Sequence, residues 1–276
     1  MYADDTIIHV SNVNTTEVNQ ELNDVLVNVE NWYKANKLVL NVNKSNTMLI
    51  GNTAGNESAD DFSVYLNDNK LENVQCTKYL GVKVDNQLKF DIHVNDLVKR
   101  ISAKLSWLNR LRRIVPKPML VLTYKSYVQP IMEYACTVWG CSNVNINAIQ
   151  RLQNRAARII CSNFDIVNVR GEDLVRELKW QTVSQRINYY LSTLMYSSIH
   201  GNVPDYLCNS ITMACESNDV NTRLSNTLKV ELPTCKTNVF KKSFVYRGSV
   251  MWNSLPSVVH ESSSLSSFKN HVKGFL

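Results

Sequence analysis

The stretch YADDTII at residues 2–8 places two adjacent carboxylates, Asp4 and Asp5, directly before a short apolar run. That run, Thr6 to Val10, predicts a β-strand, with the carboxylates at its edge or in a turn. Adjacent residues of a strand point to opposite faces, so the two side chains cannot bind one ion equally. Magnesium prefers such oxygen ligands, but a two-metal site also needs a carboxylate from a distant strand. Taken alone, the tetrapeptide favours an acidic turn before a strand over a metal site.

The rest of the first third of the chain predicts one helix and several short strands. Apolar residues between positions 17 and 36 recur at spacings of three and four, which indicates an amphipathic helix. The predicted strands are 38–42 and 47–50, paired as a β-hairpin, then 62–66 and 78–84, with a surface loop at 51–61 and a turn at 67–69. This region therefore favours an α+β arrangement.

Helical periodicity dominates the chain after Phe90. A long helix is predicted whose apolar face begins at Leu97 and whose other face carries basic residues, and Pro116 and Pro118 interrupt it. Further helices are predicted up to about residue 134 and at 145–161, 172–179, 184–199 and 265–275, with a loop at 209–228. Three arginines of the 145–161 helix, Arg151, Arg155 and Arg158, stand four and three residues apart and so form one stripe.

The positive charge of the chain is concentrated in its middle. Residues 1–92 carry 7 Lys and Arg against 13 Asp and Glu, residues 93–160 carry 11 against 2, and residues 161–276 carry 12 against 9. The net charges of the three parts are −6, +9 and +3, which add to the +6 of the whole chain. Such a basic block is typical of a surface that binds a polyanion, although a solvated helical face has the same composition.

Composition argues against membrane and disulfide-stabilised classes. No apolar run approaches the roughly 20 residues that a membrane helix needs, and the N-terminus lacks the pattern of a signal peptide. The seven cysteines are odd in number and irregularly spaced, which indicates reduced thiols in a protein of the nucleus or cytoplasm. Cys136 and Cys141 are the closest pair, but no neighbouring His or Cys completes a zinc pattern, so buried thiols are favoured.

Five blocks, in the same order along essentially the whole chain, resemble the reverse transcriptase of non-LTR, LINE-type retrotransposons. The order of the blocks carries the resemblance, because each block alone is short. YADDTII is similar to palm motif C, and WYKANKLVL at 32–40, with Asn41 and the Lys44-Ser45 turn, is similar to motif D. KYLGV at 78–82 is similar to the primer grip, motif E, and the basic helix after His93, with YACTVW at 134–139, is similar to the thumb and the stretch after it. FVYRGSVMW at 244–252 is similar to the terminal region of jockey- and CR1-like elements.

The resemblance implies roles for individual residues. Asp4 would be a catalytic Mg²⁺ ligand with Asp5 as its less critical neighbour, and Tyr2 would lie under the primer terminus or template. Lys44 would approach the pyrophosphate leaving group as a positive charge or proton donor, unless it is a solvent-exposed turn lysine. The primer would contact Tyr79, Leu80 and Gly81, where Gly81 allows close approach or, alternatively, forms a β-bulge. The phosphates of an RNA–DNA hybrid would contact Lys99, Arg100, Lys104, Arg151, Arg155 and Arg158.

The implied organisation is a partial palm at 1–92, a basic helical thumb at 93–165 and a mostly helical C-terminal region at 166–276. The fingers and the strand with the other metal-binding aspartate would precede motif C and are absent, so we expect no polymerase activity from this chain alone. In the full-length parent, the partners would be RNA template, DNA primer and dNTP. Two alternatives stay open: a non-catalytic nucleic-acid-binding remnant, and a helical interaction protein with a chance acidic motif.

Overall fold

A computed structural model describes residues 5–51, 62–214 and 228–276 of the chain. The chain divides into two compact units, an N-terminal unit (Met1–Leu88) and a C-terminal unit (Lys89–Leu276). The described residues form mostly helices with a few short strands, so the predicted α+β class is confirmed. None of the described helices is long and apolar enough to cross a membrane. The described cysteines form no disulfide with one another.

The N-terminal unit is built around one helix, α1 (Thr15–Ala35). Its apolar side packs on a small core that includes Leu26, Phe62 and Val64. The Asn23 side chain also joins the helix to the segment 63–65 by two hydrogen bonds. Its Nδ2 donates to the Ser63 carbonyl at 3.1 Å, and its Oδ1 accepts from the Tyr65 N–H at 2.9 Å. The helix predicted at 17–36 is therefore confirmed, and Asn23 fixes its register against the next segment.

Short strands complete the N-terminal unit. They are β1 (Asn46–Thr47), β2 (Tyr65–Leu66), β3 (Asn69–Lys70), β4 (Glu72–Asn73), β5 (Cys76–Tyr79) and β6 (Val82–Asp85). Strand β1 pairs with β4 in parallel, whereas β2–β3 and β5–β6 are antiparallel hairpins. The turn of the first hairpin holds Asn67 and Asp68 at φ 49° and 60°, as tight hairpin turns require. The turn predicted at 67–69 is therefore confirmed.

Three strand predictions in this unit are wrong. The single strand predicted at 78–84 is a hairpin, because Leu80 and Gly81 turn the chain at φ 44° and 82°. The predicted hairpin of 38–42 with 47–50 does not form; Val42–Lys44 is a 3₁₀-helix, and Asn46–Thr47 pairs with β4 instead. Residues 6–10 form no strand, because a strand needs a partner for its backbone groups and no described residue pairs with them.

The C-terminal unit is helical in its described parts. Its helices are α2 (Asp91–Leu111), α3 (Lys117–Thr123), a π-helical segment (Tyr124–Val128), α4 (Gln129–Glu133), α5 (Cys136–Trp139), α6 (Asn143–Cys161), α7 (Gly171–Glu177), α8 (Val183–Ile199), α9 (Asp205–Cys208), α10 (Asn238–Lys241), α11 (Phe244–Ser254), α12 (Ser257–His260) and α13 (Leu265–Phe275). The predicted helices after Phe90 are thus confirmed within a few residues. Of the loop predicted at 209–228, residues 215–227 lie outside the described residues.

Helices α2 and α6 pack against each other at the start of this unit. Each has one apolar face, and Ile101, Leu105 and Leu108 of α2 are fully buried, as are Ile149 and Ala156 of α6. Helix α2 ends before Pro116, and Pro118 lies in the first turn of α3, where a missing N–H costs little. Because the apolar faces pack together, the basic faces of both helices are exposed to solvent.

A second core joins α8, α11 and α13. Its centre is Trp252, which stacks on His260 and Phe268 with ring centroids 4.6 and 5.7 Å apart. The indole N–H of Trp252 donates to the Leu228 carbonyl at 2.8 Å, so the one polar atom of this side chain is satisfied. Gly248 lets α11 approach α8 closely, since an added Cβ would lie 2.5 Å from the Met195 sulfur.

Candidate nucleic-acid interface

The predicted metal-binding residues are only partly within the described structure. Tyr2 and Asp4 lie outside the described residues, whereas Asp5 is described and exposed. Among the described residues, no three or more His, Cys, Asp or Glu side chains come together in a group that could hold a metal ion.

Lys44 is the last residue of the 3₁₀-helix Val42–Lys44, and its side chain is exposed. Its N–H donates to the Asn41 carbonyl at 3.1 Å, which closes the turn. The flanking Asn43 and Ser45 line a shallow polar cavity of about 380 Å³ within the N-terminal unit. This geometry agrees with the turn predicted for Lys44.

Tyr79, Leu80 and Gly81 lie at the tip of the β5–β6 hairpin. Tyr79 and Leu80 are half-buried, and Gly81 is exposed. Gly81 sits in the turn itself and not in a bulge, and its positive φ favours glycine over residues with a Cβ. Leu80 and Gly81 therefore form the turn, and Tyr79 is the last residue of β5.

The predicted basic residues of α2 are solvent-exposed. Lys99, Arg100 and Lys104 lie away from the buried face that packs on α6. On α6, Arg151 and Arg155 are exposed as well. Five cationic side chains on two packed helices are thus accessible to an anionic ligand.

Arg158 differs from the other two arginines of the predicted stripe. Its Nη1 donates to the Asp165 carbonyl at 3.0 Å and its Nη2 to the Val169 carbonyl at 2.6 Å. The guanidinium thereby holds the loop after α6 against the helix. Much of its hydrogen-bonding capacity is used within the protein, which leaves Arg151 and Arg155 as the more available pair.

A partly buried ionic cluster that the sequence did not indicate lies between α4 and α8. The Nε of Arg186 and the Nε2 of Gln129 each donate to the Glu133 Oε1 at 2.6 Å, and the Tyr190 hydroxyl donates to the Oε2 at 2.6 Å. Burial by itself would raise the pKa of Glu133, but these hydrogen bonds outweigh it and hold the pKa below its ordinary value. Burial, and then Glu133, raise the pKa of Tyr190 to about 12.

Gln129, Glu133 and Arg186 of this cluster line a cavity of about 340 Å³. Lys125, Lys179 and Lys273 also line this cavity, and Tyr124 stacks on Trp180 in its wall with centroids 4.1 Å apart. The Glu133 carboxylate already accepts hydrogen bonds from three donors. Two of these donors, Arg186 and Tyr190, lie on α8, so the carboxylate links α4 to α8.

Two exposed aromatic rings were likewise not indicated by the sequence. Trp107 of α2 and Tyr127 of the π-helical segment meet edge to face, with ring centroids 6.1 Å apart. Trp107 has 44% of its surface exposed and Tyr127 has 59%. Trp107 belongs to the same helix as Lys99, Arg100 and Lys104, so aromatic and cationic groups are neighbours on this surface.

Three comparisons with curated proteins from Drosophila melanogaster show what the chain is similar to. It is 35% identical over 135 residues to the "Probable RNA-directed DNA polymerase from transposon X-element", which covers 47% of this chain and 14% of that protein. It is 30% identical over 197 residues to the "Probable RNA-directed DNA polymerase from transposon BS", covering 69% of this chain and 21% of that protein. It is 25% identical over 238 residues to the "RNA-directed DNA polymerase from mobile element jockey", covering 84% of this chain and 25% of that protein.

No protein-family model matches the chain, and no solved structure matches it either. The chain spans a quarter or less of the length of these curated relatives. The similarity is nevertheless spread over most of this chain. The chain is therefore a distant homologue of part of the reverse transcriptases of non-LTR retrotransposons.

Proposed function

We propose that this chain is part of an RNA-directed DNA polymerase of a jockey-like retrotransposon, and that its basic helices hold the RNA–DNA hybrid of template and primer. The observation that supports this most strongly is the set of exposed cations on two packed helices, Lys99, Arg100, Lys104, Arg151 and Arg155. In this proposal, residues 1–92 correspond to a partial palm, 93–165 to the thumb and 166–276 to the C-terminal region.

Binding through phosphates explains both the number of cations and their exposure. A nucleic-acid duplex carries dense negative charge, and each neutralised phosphate releases condensed counterions. Lysine and arginine side chains that contact only phosphates do not read sequence, which suits a polymerase that must accept any template. Because α2 and α6 pack against each other, this charge lies on one helical pair.

Neutralising Arg151 and Arg155 together, as Arg151→Gln with Arg155→Gln, is expected to weaken binding of the whole chain to an RNA–DNA hybrid roughly ten- to hundredfold at low salt. The slope of log affinity against log salt concentration should also become shallower by about 2, because two phosphate contacts are lost. Fluorescence anisotropy over a salt series measures both quantities.

A matched control removes two exposed lysines elsewhere in the C-terminal unit, with Lys236→Gln and Lys241→Gln. This control should keep the salt slope within about one of the wild-type value. If the arginine variant binds the hybrid like the wild type at low salt, these arginines form only a solvated face.

Catalytic roles for Asp4, Asp5 and Lys44 are also part of the proposal, within a complete polymerase that contains this segment. There the two aspartates would contribute oxygen ligands to a Mg²⁺ site that other parts of the polymerase complete. The chemistry that the metal supplies is nucleotidyl transfer, and Lys44 would face the leaving group. Tyr2, Tyr79, Leu80 and Gly81 would contact primer or template.

We expect the 276-residue chain by itself to extend no primer on an RNA template, because it spans a quarter or less of the length of its polymerase relatives. A primer-extension assay with labelled dNTP and Mg²⁺ tests this. Extension that disappears in Asp4→Ala would contradict the expectation. A second candidate function is a non-catalytic nucleic-acid-binding protein, which the exposed cations on α2 and α6 support equally well. Two results together would support that second function. This chain would bind the hybrid, and a complete polymerase carrying Asp4→Asn would extend a primer as fast as the unmodified polymerase.

A further inference from the structure

The Trp107–Tyr127 pair is an exposed aromatic surface, and Trp107 lies on α2, the helix that carries Lys99, Arg100 and Lys104. The two rings lie 6.1 Å apart at an interplanar angle of 62°, so they form an edge-to-face corner and not a closed stack. About half of each side chain stays exposed. Buried ring pairs stabilise cores, but a half-exposed pair leaves apolar ring surface available to another molecule.

Helical geometry places this corner next to positive charge. Arg100, Lys104 and Trp107 are separated by four and three residues on α2, so they follow one another along a single stripe of the helix. The aromatic corner therefore continues a row of cations along α2.

The combination selects between possible occupants. A protein partner matched to this surface would need acidic side chains around an apolar knob, whereas nucleic acid supplies phosphates and flat bases at regular intervals. Bases stack on exposed aromatic rings whatever their identity, and arginine adds to the attraction. Inside a duplex the base faces are covered by neighbouring pairs, so only an unpaired nucleotide offers a face to these rings.

We propose that Trp107 and Tyr127 form a stacking platform for an unpaired nucleotide of a single-stranded segment, with Arg100 and Lys104 at its phosphates. The inference rests on the proposed function, because it assumes that this unit binds nucleic acid. It adds a ligand class to that function: single strand next to, or instead of, duplex. The platform is sequence-tolerant, as expected for rings that contact base faces.

Two probes test the platform with the whole chain: a blunt RNA–DNA hybrid, and the same hybrid with a single-stranded overhang. Trp107→Ala is expected to weaken binding of the overhang probe roughly tenfold, within the range measured for loss of one base–ring stack. Its affinity for the blunt hybrid should change by less than about twofold. The salt slope should not change for either probe, because no charge is removed.

Matched variants separate stacking from general damage. Trp107→Phe keeps a flat ring and should recover most of the affinity for the overhang probe. Tyr206→Ala removes an exposed aromatic ring from α9, away from the α2 stripe, and should bind both probes like the wild type. Thermal unfolding followed by circular dichroism shows whether each variant is folded as the wild type is.

The outcomes distinguish this inference from the proposed function. Wild-type chain that binds neither probe contradicts the proposed function. Wild-type chain that binds both probes equally, with Trp107→Ala unchanged on both, contradicts only the platform. If Trp107→Ala weakens binding of both probes equally, Trp107 contacts the duplex, and the stacking platform for an unpaired nucleotide is also contradicted. Loss of self-association in Trp107→Ala, by analytical ultracentrifugation, with overhang binding unchanged, would identify a contact between copies of the chain instead.

Discussion

Trp252→Ala is expected to lower the free energy of unfolding of the C-terminal unit by about 4 kcal/mol. Trp252 is only 1% exposed and lies against His260 and Phe268, so its removal deletes the largest side chain at the centre of that core. The core is formed by α8, α11 and α13. The Leu228 carbonyl also loses the indole donor, which adds to the cost.

Urea denaturation followed by far-UV circular dichroism measures this loss. Among the described residues, α1 is the one α-helix of the N-terminal unit, so the helical signal reports mainly on the C-terminal unit. Trp252→Phe should lose less than Trp252→Ala, because a ring remains between His260 and Phe268. A matched control, Trp32→Ala, removes a half-exposed tryptophan from α1 and should leave the C-terminal transition unchanged. A loss below about 1 kcal/mol for Trp252→Ala would contradict the central position of this ring in the core.

Glu133→Ala is expected to destabilise the C-terminal unit by about 3 kcal/mol, the second largest effect. The carboxylate joins α4 to α8 through Arg186 and Tyr190, and removing it leaves the Arg186 guanidinium poorly compensated in a largely buried site. The side chains of Arg186 and Glu133 are 21% and 17% exposed, so the penalty lies at the lower end for a buried pair. Chemical denaturation near neutral pH measures the change.

The ion pair between Lys117 and Glu177 supplies the control. It is also short, 3.0 Å, but its side chains are 48% and 55% exposed. Solvent screens such a pair, so Glu177→Ala should cost less than about 1 kcal/mol. Equal losses in the two variants would mean that burial does not set the strength of the Glu133 site.

The pH dependence of the Glu133 effect has a defined sign. Burial raises the pKa of Glu133, but the hydrogen bonds from Arg186, Tyr190 and Gln129 lower it by more, so the net pKa in the folded protein is below the ordinary value of 4.5. A depressed carboxyl pKa stabilises the fold above the unfolded-state pKa, and this contribution is lost as the pH falls through the folded-state pKa. The stability difference between wild type and Glu133→Gln should therefore shrink as the pH is lowered below 4.5.

Helices were predictable from the sequence and strands mostly were not. The apolar spacing of α2, α6 and α13 determines which face is buried, and this spacing is visible in the chain itself. The β5–β6 hairpin was missed because its two-residue turn, Leu80-Gly81, lies between Tyr79 and Val82, and the apolar Leu80 makes the two strands look like one continuous run. Strand β1 was misassigned because its partner, β4, is distant in sequence and no local pattern specifies the pairing.

In the candidate site, the exposure of helical cations was predictable from the sequence, whereas the contacts between distant residues were not. Exposure of Arg151 and Arg155 follows from their helical spacing, whereas Arg158 is held by the carbonyls of Asp165 and Val169, which no periodicity encodes. The Glu133–Arg186 contact joins residues far apart in the chain, so charge patterning within one helix could not reveal it.

The π-helical segment Tyr124–Val128 has a consequence for how this region tolerates change. A π-turn contains one residue more than the α-helical turn that it replaces, so it acts as an insertion within an otherwise continuous helix. Loss of one residue within this segment would restore the α-helical turn and keep the residues after it on nearly the same faces. Loss of one residue from α4 before Glu133 would instead rotate everything after it by about 100°. Tyr127 could not then face Trp107 while Glu133 still faced Arg186. The outer aromatic surface and the inner ion pair are thus expected to tolerate a one-residue deletion in the π-helical segment but not in α4.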